Sequence, residues 1–457
     1  MNALAFLFSF RGRVGRRAYA LWGLGLLAVK VNLDRLVSGL AFGRAWTPWS
    51  YLDVAGAGPL GSLSRADAVF CATLLALALP FVAVGTALTV RRLRDAGLAP
   101  GLVVLFFAPV VNLLLFAGLC AVPARDASPA SASALDRWVP RSRFGSAAAG
   151  VALTVGLGTA LVAVSVEAFA EYGWSLFVGV PFTMGLVASA LYNHAEARGL
   201  GESVGVGLLS LGLGGAALMA VAVEGVLCLA MAAPLGAALA GLGAVVGWTL
   251  RRGAAGAAPR VAGSAVFVLP LLIAAEGVAS GPPPLLSATT VVVVDAPPAA
   301  VWPHVVAFSD LPAPDDWLFA TGIAYPLRAR IDGAGVGAVR RCEFSTGAFV
   351  EPITVWDAPR RLAFRVAAQP PPMAEWSVWG DIEPAHLRGA FASERGEFRL
   401  TALPGGRTRL AGTTWYRHRI APAGYWRLWS DAILHRIHAR VLRHVAALAE
   451  ADPAGAS

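Results

Sequence analysis

Thr289-Thr-Val-Val-Val-Val-Asp-Ala-Pro-Pro-Ala-Ala-Val-Trp302 marks the point where the chain changes solvent. β-Branched side chains are stiff at χ1 and pack well on a pleated surface, so 289–295 predicts a strand. Proline is tolerated in the first turn of a helix, where its missing N–H has no partner to lose, so 297–308 predicts a short helix. Upstream, Gly281-Pro-Pro-Pro284 ends a long apolar run and predicts a short, stiff spacer.

Downstream of this stretch, strands are predicted at 326–333, 337–346, 349–356, 361–368, 395–403 and 407–419. Turn residues join them at Asp332-Gly-Ala-Gly-Val-Gly337, Asp357-Ala-Pro-Arg360 and Pro404-Gly-Gly406. The spacing of Gly333, Gly335 and Gly337 is superficially that of a nucleotide loop, but it joins two strands and no helix follows, so it reads as a hairpin turn. Pro422 opens a final helix over 423–450. At about 100° per residue, Trp426, Ile433, Leu434, Ile437, Val441, Val445 and Leu448 share one face, with Arg436 and Arg443 outside it and Arg440 at its edge. Such a helix must lie on something apolar, and the candidate within its own domain is the concave face of the sheet.

A strand, a short helix, antiparallel strands and a long closing helix, in that order, make the helix-grip arrangement. From about 287 to 450 the sequence resembles the SRPBCC superfamily, which includes START lipid-transfer domains, polyketide cyclases and plant allergen-type carriers. The resemblance is carried by the opening motif Val-Asp-Ala-Pro-Pro-Ala-Ala-Val-Trp302, by Gly-Ala-Val-Arg-Arg-Cys-Glu-Phe-Ser-Thr-Gly347, by Val-Trp-Asp-Ala-Pro-Arg-Arg-Leu-Ala-Phe364 and by the closing helix. It implies a cavity between sheet and helix that receives apolar ligands.

Working back toward the N-terminus, the chain becomes too apolar for water. Hydrophobic residues make up 57% of the 457, and mean hydropathy is +0.63, a balance that points to the bilayer as solvent. Runs long enough to span a hydrocarbon core, which takes about 20 residues, fall near 18–37, 68–90, 101–122, 147–169, 174–192, 203–223, 226–249 and 261–279. The net charge of +9 is unevenly placed: Lys and Arg number 19 against 12 Asp and Glu through Ser287, but 18 against 16 beyond it. A nucleic-acid partner would need its basic surface on the soluble part, so this distribution argues against one and for orientation by the positive-inside rule. Met1 to Phe10 is too short an apolar stretch for a signal peptide and is basic on the wrong side, so the first helix reads as an uncleaved anchor.

Arginines cluster at 11–17, at 91–94, at 125–143 including Arg137, and at 251–260; these loops are expected on the cytoplasmic side. The loop 46–61 and the turns Glu167-Ala-Phe-Ala-Glu171 and Val223-Glu224-Gly225 carry no basic residue and are expected outside. The two sets agree if 101–122 enters and leaves on one side as a hairpin broken near Pro109 and Asn112. The C-terminal domain is then extracytoplasmic, and a simple span at 101–122 would make it cytoplasmic. Gly- and Ala-rich segments such as 205–215 and 232–247 let helices approach closely in lipid. Glu167, Glu171, Glu224 and Glu276 sit near segment ends, as interfacial residues or as parts of a buried ion relay. Lys30 and Asp34 are four apart and expected to neutralise each other.

Over its first 145 or so residues the chain also resembles the bacterial inner-membrane family of unknown function numbered 805. Phe8-Ser-Phe-Arg-Gly-Arg-Val-Gly-Arg-Arg-Ala-Tyr19 and Val90-Arg-Arg-Leu-Arg-Asp-Ala-Gly97 carry that resemblance, with Arg94 where the family usually has His. It implies a membrane location and no assigned activity.

Candidate chemistry gathers around the closing helix. Asp431, His435 and His438 fall beside its apolar arc, and Tyr416 and His418 from the last strand with Glu343 and Glu351 from the central strands are candidates to line a cavity with them. Three readings stay open: a satisfied hydrogen-bond network at the helix–sheet seam, orientation of a ligand head, and a metal or acid–base centre, for which Asp-x3-His-x2-His lacks a fourth partner. Of the four cysteines, Cys71, Cys120 and Cys228 fall in apolar runs and Cys342 in a strand; no disulfide framework or zinc spacing follows. The insertion 369–387 is rich in Pro and Trp, and a loop of that length predicts a lid or a binding surface, with Trp376 and Trp379 over the cavity or on the headgroup layer.

The expected fold is thus a polytopic α-helical membrane protein with about eight hydrophobic segments, followed by an α+β helix-grip domain with an antiparallel sheet and a long C-terminal helix. Its parts are 1–145 (the family-805-like membrane domain), 146–280 (additional transmembrane helices), 281–287 (spacer), 288–451 (helix-grip domain) and 452–457 (tail). The expected function is binding of a hydrophobic or lipid-like ligand at an inner-membrane surface, as carrier or sensor, with the lipid bilayer and that ligand as partners and no metal, cofactor or nucleic acid. Two alternatives are retained: a cyclase, hydrolase or lyase using His435 or His438 as base with Glu343 or Asp431, and a regulatory domain of a transporter-like body.

Overall fold

The computed structural model describes residues 3–51, 65–125, 138–168, 172–252, 257–279 and 283–451. Most of the expected outer loop after Tyr51, Arg137, Glu171, Gly281 and Pro282 of the spacer, and the tail 452–457 lie outside the described residues.

The chain divides into two compact units. In the first, α1 (Ala3–Phe8) and α2 (Arg16–Phe42) precede α3 (Arg65–Asp95), a 3-10 segment Pro100–Phe107 and α4 (Val111–Ala121). There follow α5 (Arg143–Ala163), α6 (Val180–Tyr192), α7 (Leu200–Ala220), α8 (Val226–Arg252) and α9 (Ala257–Ala279). Among the described residues, six helices are long and apolar enough to cross a membrane: Ala66–Asp95, Arg143–Val166, Ser175–Tyr192, Leu200–Ala220, Val226–Arg252 and Ala257–Val278. They correspond to six of the eight segments read from the sequence. The other two exist in different form. α2 is 27 residues long and carries Lys30, Asp34 and Arg35 within it, while 101–122 is broken into a 3-10 segment and a helix of 11 residues.

The break sits at Val110, whose φ of 64° no helix accommodates. The two arms of this hairpin begin and end together. The buried Arg92 side chain of α3 donates to the carbonyls of Leu119 and Val122 and to Asp95, and the Arg125 N–H donates to the Asp95 carbonyl at 2.8 Å. Lys30 pairs with Asp34 as expected, and the Tyr51 hydroxyl donates to the same carboxylate.

The remaining spans pack through small residues around α6, whose thirteen residues are all buried; a helix enclosed on every side needs no polar face. A Cβ on Gly185 would meet the Ala240 carbonyl oxygen at 1.9 Å, and one on Gly243 would meet that of Phe182 at 2.0 Å. Any larger residue would separate α6 from α8. Large apolar side chains such as Leu21, Leu40, Leu75, Phe144 and Phe267 are exposed, as suits surfaces solvated by lipid.

The second unit holds a seven-stranded antiparallel sheet in the order β1-β9-β8-β5-β4-β3-β2. Its strands are β1 (Leu286–Val294), β2 (Pro326–Asp332), β3 (Val339–Phe344), β4 (Gly347–Asp357), β5 (Arg361–Arg365), β8 (Phe391–Leu403) and β9 (Arg407–His418). Two short helices, α10 (Pro298–Val306) and α11 (Trp317–Ala320), follow β1, and α12 (Ala423–Ala451) closes the unit. Each predicted strand is present. The insertion adds a small separate hairpin, β6 (Glu375–Ser377) and β7 (Gly380–Ile382), which local pattern did not reveal. The unit also takes in Ala222–Met231, the turn and first residues of α8, far upstream of the expected boundary at 288.

The helix lies on the sheet through Trp426, Leu434, Val441, Leu442, Val445 and Ala449. Arg436 stays outside and pairs with Asp316 at 2.7 Å. Toward the C-terminal end of α12, Val441, Leu442, Val445 and Ala449 join Val294, Val301, Val305, Leu400 and Leu410 in a filled core.

Candidate functional site

Toward its N-terminal end the same helix and the sheet border a cavity of about 190 Å³. Trp426, Trp429, Ile433, Leu434 and Ile437 of α12 face Phe344, Phe349, Phe364, Phe391 and Phe398 of the strands across it. Apolar walls with a few convergent polar groups are the usual make-up of a ligand site.

The most deeply set polar group is an ion pair. Arg340 on β3 and Glu351 on β4 are direct cross-strand partners, and the guanidinium donates to the Glu351 carboxylate and to the Val306 carbonyl. The rings of Phe308, Phe364 and Phe398 surround the cation at 5.5–5.6 Å, a contact worth more when desolvated. Burial pushes the Glu351 carboxyl above its ordinary value against the pull of Arg340. Beside the pair, burial drives the Cys342 thiol up to about 12, which leaves it a small inert core residue.

His438 forms a second polar point. Its Nε2 lies 2.8 Å from the Thr414 hydroxyl and its Nδ1 3.3 Å from that of Thr290. Burial, with neighbouring His435, lowers its pKa to about 4, so the ring is neutral at physiological pH. His418 also faces the cavity, its pKa lowered chiefly by burial, with the Ile420 backbone near.

Glu351, His418 and His438 are thus the sequence candidates that line the cavity. The other six sit elsewhere. Glu343 points to the opposite face of β3, where it pairs with Arg328 at 2.7 Å; alternation along the strand puts Arg340, Cys342 and Phe344 inward and Glu343 outward. The Tyr416 hydroxyl donates to Asp431 at 2.6 Å and Arg427 holds the other carboxylate oxygen at 3.1 Å. That is a network at the helix–sheet seam, and burial with the adjacent carboxylate pushes the Tyr416 phenol up. His435 is exposed, bonded to the Thr290 hydroxyl at 2.8 Å. Thus His435 and His438 are bonded to the hydroxyls of Thr290 and Thr414, and Glu343 and Asp431 to arginines.

Trp376 and Trp379 are 56% and 72% exposed and do not border the cavity. Alternation in β6 turns Glu375 and Ser377 inward and Trp376 outward. The part of the insertion that does line the cavity is Pro371, Pro372, Met373 and His386.

Arg340 was missed in reading the sequence, yet its signal is there. The two-residue turn Ser345-Thr346 sets Phe344 opposite Gly347, and counting back pairs Arg340 with Glu351. Cys228, Met231 and His386, which also line the cavity, carry no such local signal.

A polytopic helical membrane protein with a helix-grip domain is the class these features define. Residues 7–129 match the family described as "Protein of unknown function (DUF805)", and residues 286–422 match "Polyketide cyclase / dehydrase and lipid transport". No curated protein matches the chain. Among solved structures, the ZhuI aromatase/cyclase of Streptomyces is 19% identical, covering 38% of this chain and 99% of its own at a TM-score of 0.26. A norcoclaurine synthase point mutant of Thalictrum flavum is 11% identical over 37% and 97%, at 0.26. A protein of Chromobacterium violaceum is 16% identical over 36% and 98%, at 0.23.

Proposed function

We propose that the helix-grip domain takes up a hydrophobic or lipid-like molecule at the surface of the membrane in which the chain is anchored, as a carrier or sensor. The observation that carries this reading is the cavity beneath the N-terminal half of α12, walled by phenylalanines and tryptophans and set with the Arg340–Glu351 pair, His418 and His438. The phenyl walls favour an apolar body, and the buried polar groups favour a ligand with one polar end. The match of 286–422 to a family whose description includes lipid transport agrees with it.

We infer the compartment from the hairpin and the arginine pattern together. With 101–122 entering and leaving on one side, as the Arg92 and Arg125 contacts support, the arginine-rich loops share the cytoplasmic face and the C-terminal domain lies on the extracytoplasmic side of an inner membrane. A single cysteine introduced near Ala402, labelled from outside intact cells, reads this directly; protection from an impermeant reagent overturns it.

Binding is tested on the purified full-length protein. Organic extraction followed by mass spectrometry is expected to recover a co-purified apolar molecule, and a fluorescent fatty acid or phospholipid is expected to bind saturably. Ile437→Trp, which fills the cavity, is expected to abolish uptake while leaving the far-ultraviolet dichroism unchanged. An intact protein that neither carries nor takes up such a molecule, or an Ile437→Trp variant that binds as wild type does, overturns the reading.

A further inference from the structure

We propose that Glu224, Cys228 and His386 form a binding site for a single zinc-like divalent cation, with Glu375 orienting the histidine. One carboxylate oxygen of Glu224, the Cys228 sulfur and a ring nitrogen of His386 all lie within 4.8 Å of one another. All three residues belong to the unit that holds the sheet. They converge from two segments about 160 residues apart in sequence: Glu224 and Cys228 from the entry to α8, His386 from the 3-10 turn Ala385–Arg388 that ends the insertion.

The donor set is the reason to assign a metal. Thiolate, imidazole and carboxylate together are the ligands of zinc and its borderline-soft neighbours, whereas magnesium and calcium take oxygen alone. Around a tetrahedral ion at roughly 2.0–2.3 Å from each donor, ligand atoms stand about 3.3–3.8 Å apart. His386 Nδ1 already lies 3.1 Å from Glu224 Oε2, so small side-chain shifts bring the three donors onto one centre.

The second layer has the arrangement such a site needs. His386 Nε2, the nitrogen turned away from Glu224, is 3.8 Å from Glu375 Oε1. That separation is longer than a hydrogen bond; a modest shift of the imidazole toward Glu375 would let the carboxylate hold N–H on that side and leave the other nitrogen's lone pair for the ion. Glu375 is itself held in place, accepting from the N–H groups of Leu227 at 3.0 Å and Cys228 at 2.7 Å. A Cβ on Gly225 would sit 2.1 Å from Glu375 Oε2, so glycine at that position is what admits the carboxylate.

Burial points the same way. Glu224, Cys228, Glu375 and His386 are each at most 7% exposed, and buried polar groups gathered so closely need partners, which a coordinated cation would supply. Three protein donors leave a tetrahedral ion one open position. Cys228 and His386 also border the apolar cavity. The inference concerns the ion alone and stands whether or not the cavity takes a lipid.

The test uses full-length protein in detergent, stripped of metal and titrated with Co²⁺. One equivalent is expected to bind with a thiolate-to-cobalt charge-transfer band and a tetrahedral visible spectrum, and Zn²⁺ to displace it. Cys228→Ser is expected to remove the charge-transfer band, His386→Ala to abolish binding, and Glu375→Gln to weaken it by about 10–100-fold. Cys342→Ser, whose thiol lies outside the cluster, is expected to keep the spectrum. Should Cys228→Ser fail to fold, Glu224→Gln with the thiol in place is expected to retain the band at weakened affinity. Absence of saturable one-to-one binding, a charge-transfer band that survives Cys228→Ser in folded protein, or a Glu224→Gln titration identical to wild type overturns the proposal.

Discussion

The two ends of α12 lie over the same sheet with the same kind of apolar stripe, yet one end is filled and the other hollow. At the C-terminal end, Leu442 and Val445 meet Leu400 and Leu410, and α10 drops Val301 and Val305 into the remaining space. At the N-terminal end, aromatic side chains of the strands pair along the wall, Phe344 with Phe349 and Phe364 with Phe398, and a cavity lies between them and Trp426, Trp429 and Ile437 of the helix. An amphipathic stripe therefore specifies that a helix will cover a sheet, while the side chains opposite decide whether the covered volume becomes core or cavity.

Breaking the boundary between the two ends carries the largest expected effect. Glu351→Ala leaves the Arg340 cation buried without its carboxylate, at a cost of about 3–5 kcal/mol, and the double substitution Arg340→Met with Glu351→Leu is expected to restore most of that. Chemical denaturation of the three proteins, followed by tryptophan fluorescence, measures both. A single variant as stable as wild type would remove the pair from any role in holding the cavity wall.

In the filled end, Leu442→Ala is expected to cost about 2–5 kcal/mol, since a fully buried side chain leaves a new void. The hollow end supplies the contrast. Ile437→Ala widens a space that is already empty and loses few contacts, so its cost is expected below about 1 kcal/mol. Equal losses at the two positions would erase the distinction between core and cavity.

Between these effects lies a pH dependence from His438. Its pKa falls from 6.5 unfolded to about 4 folded, so between those values the unfolded chain binds the extra proton. The contribution is then complete above pH 6.5, declines as pH drops, and is lost by about pH 4, amounting to some 3 kcal/mol at most. His418 and His444, also lowered by burial, add in the same direction. The difference between wild type and His438→Gln, measured as denaturation midpoint from pH 7 to 4.5, isolates the share of His438; parallel curves would contradict it.

Much of the fold was legible because local rules carried it. The β-branched run at 289–295, the turn glycines and the apolar arc of 423–450 each follow from periodicity of 2 or 3.6, and the strands and closing helix stand where those periods put them. The break in 101–122 was readable from Pro109 and from arginines on both flanks. Site residues were less legible. Glu351, His418 and His438 line the cavity, but Glu343 was assigned to it although strand alternation turns it outward, and Trp376 and Trp379, read as facing the cavity or the headgroup layer, are exposed and do not border the cavity, because composition does not say which way a hairpin faces.

By itself the sequence determined the apolar spans, the strands and the need for α12 to lie on the sheet, while the turn at Ser345-Thr346 that pairs Arg340 with Glu351 came from the structure. These depend on neighbours a few residues away or on which solvent a segment tolerates. Only the tertiary structure decided that the space beneath the first half of α12 stays open and that Glu224 and Cys228 meet Glu375 and His386. Both outcomes rest on volumes and approaches between segments far apart in sequence, where no local period records which side chains will share a place.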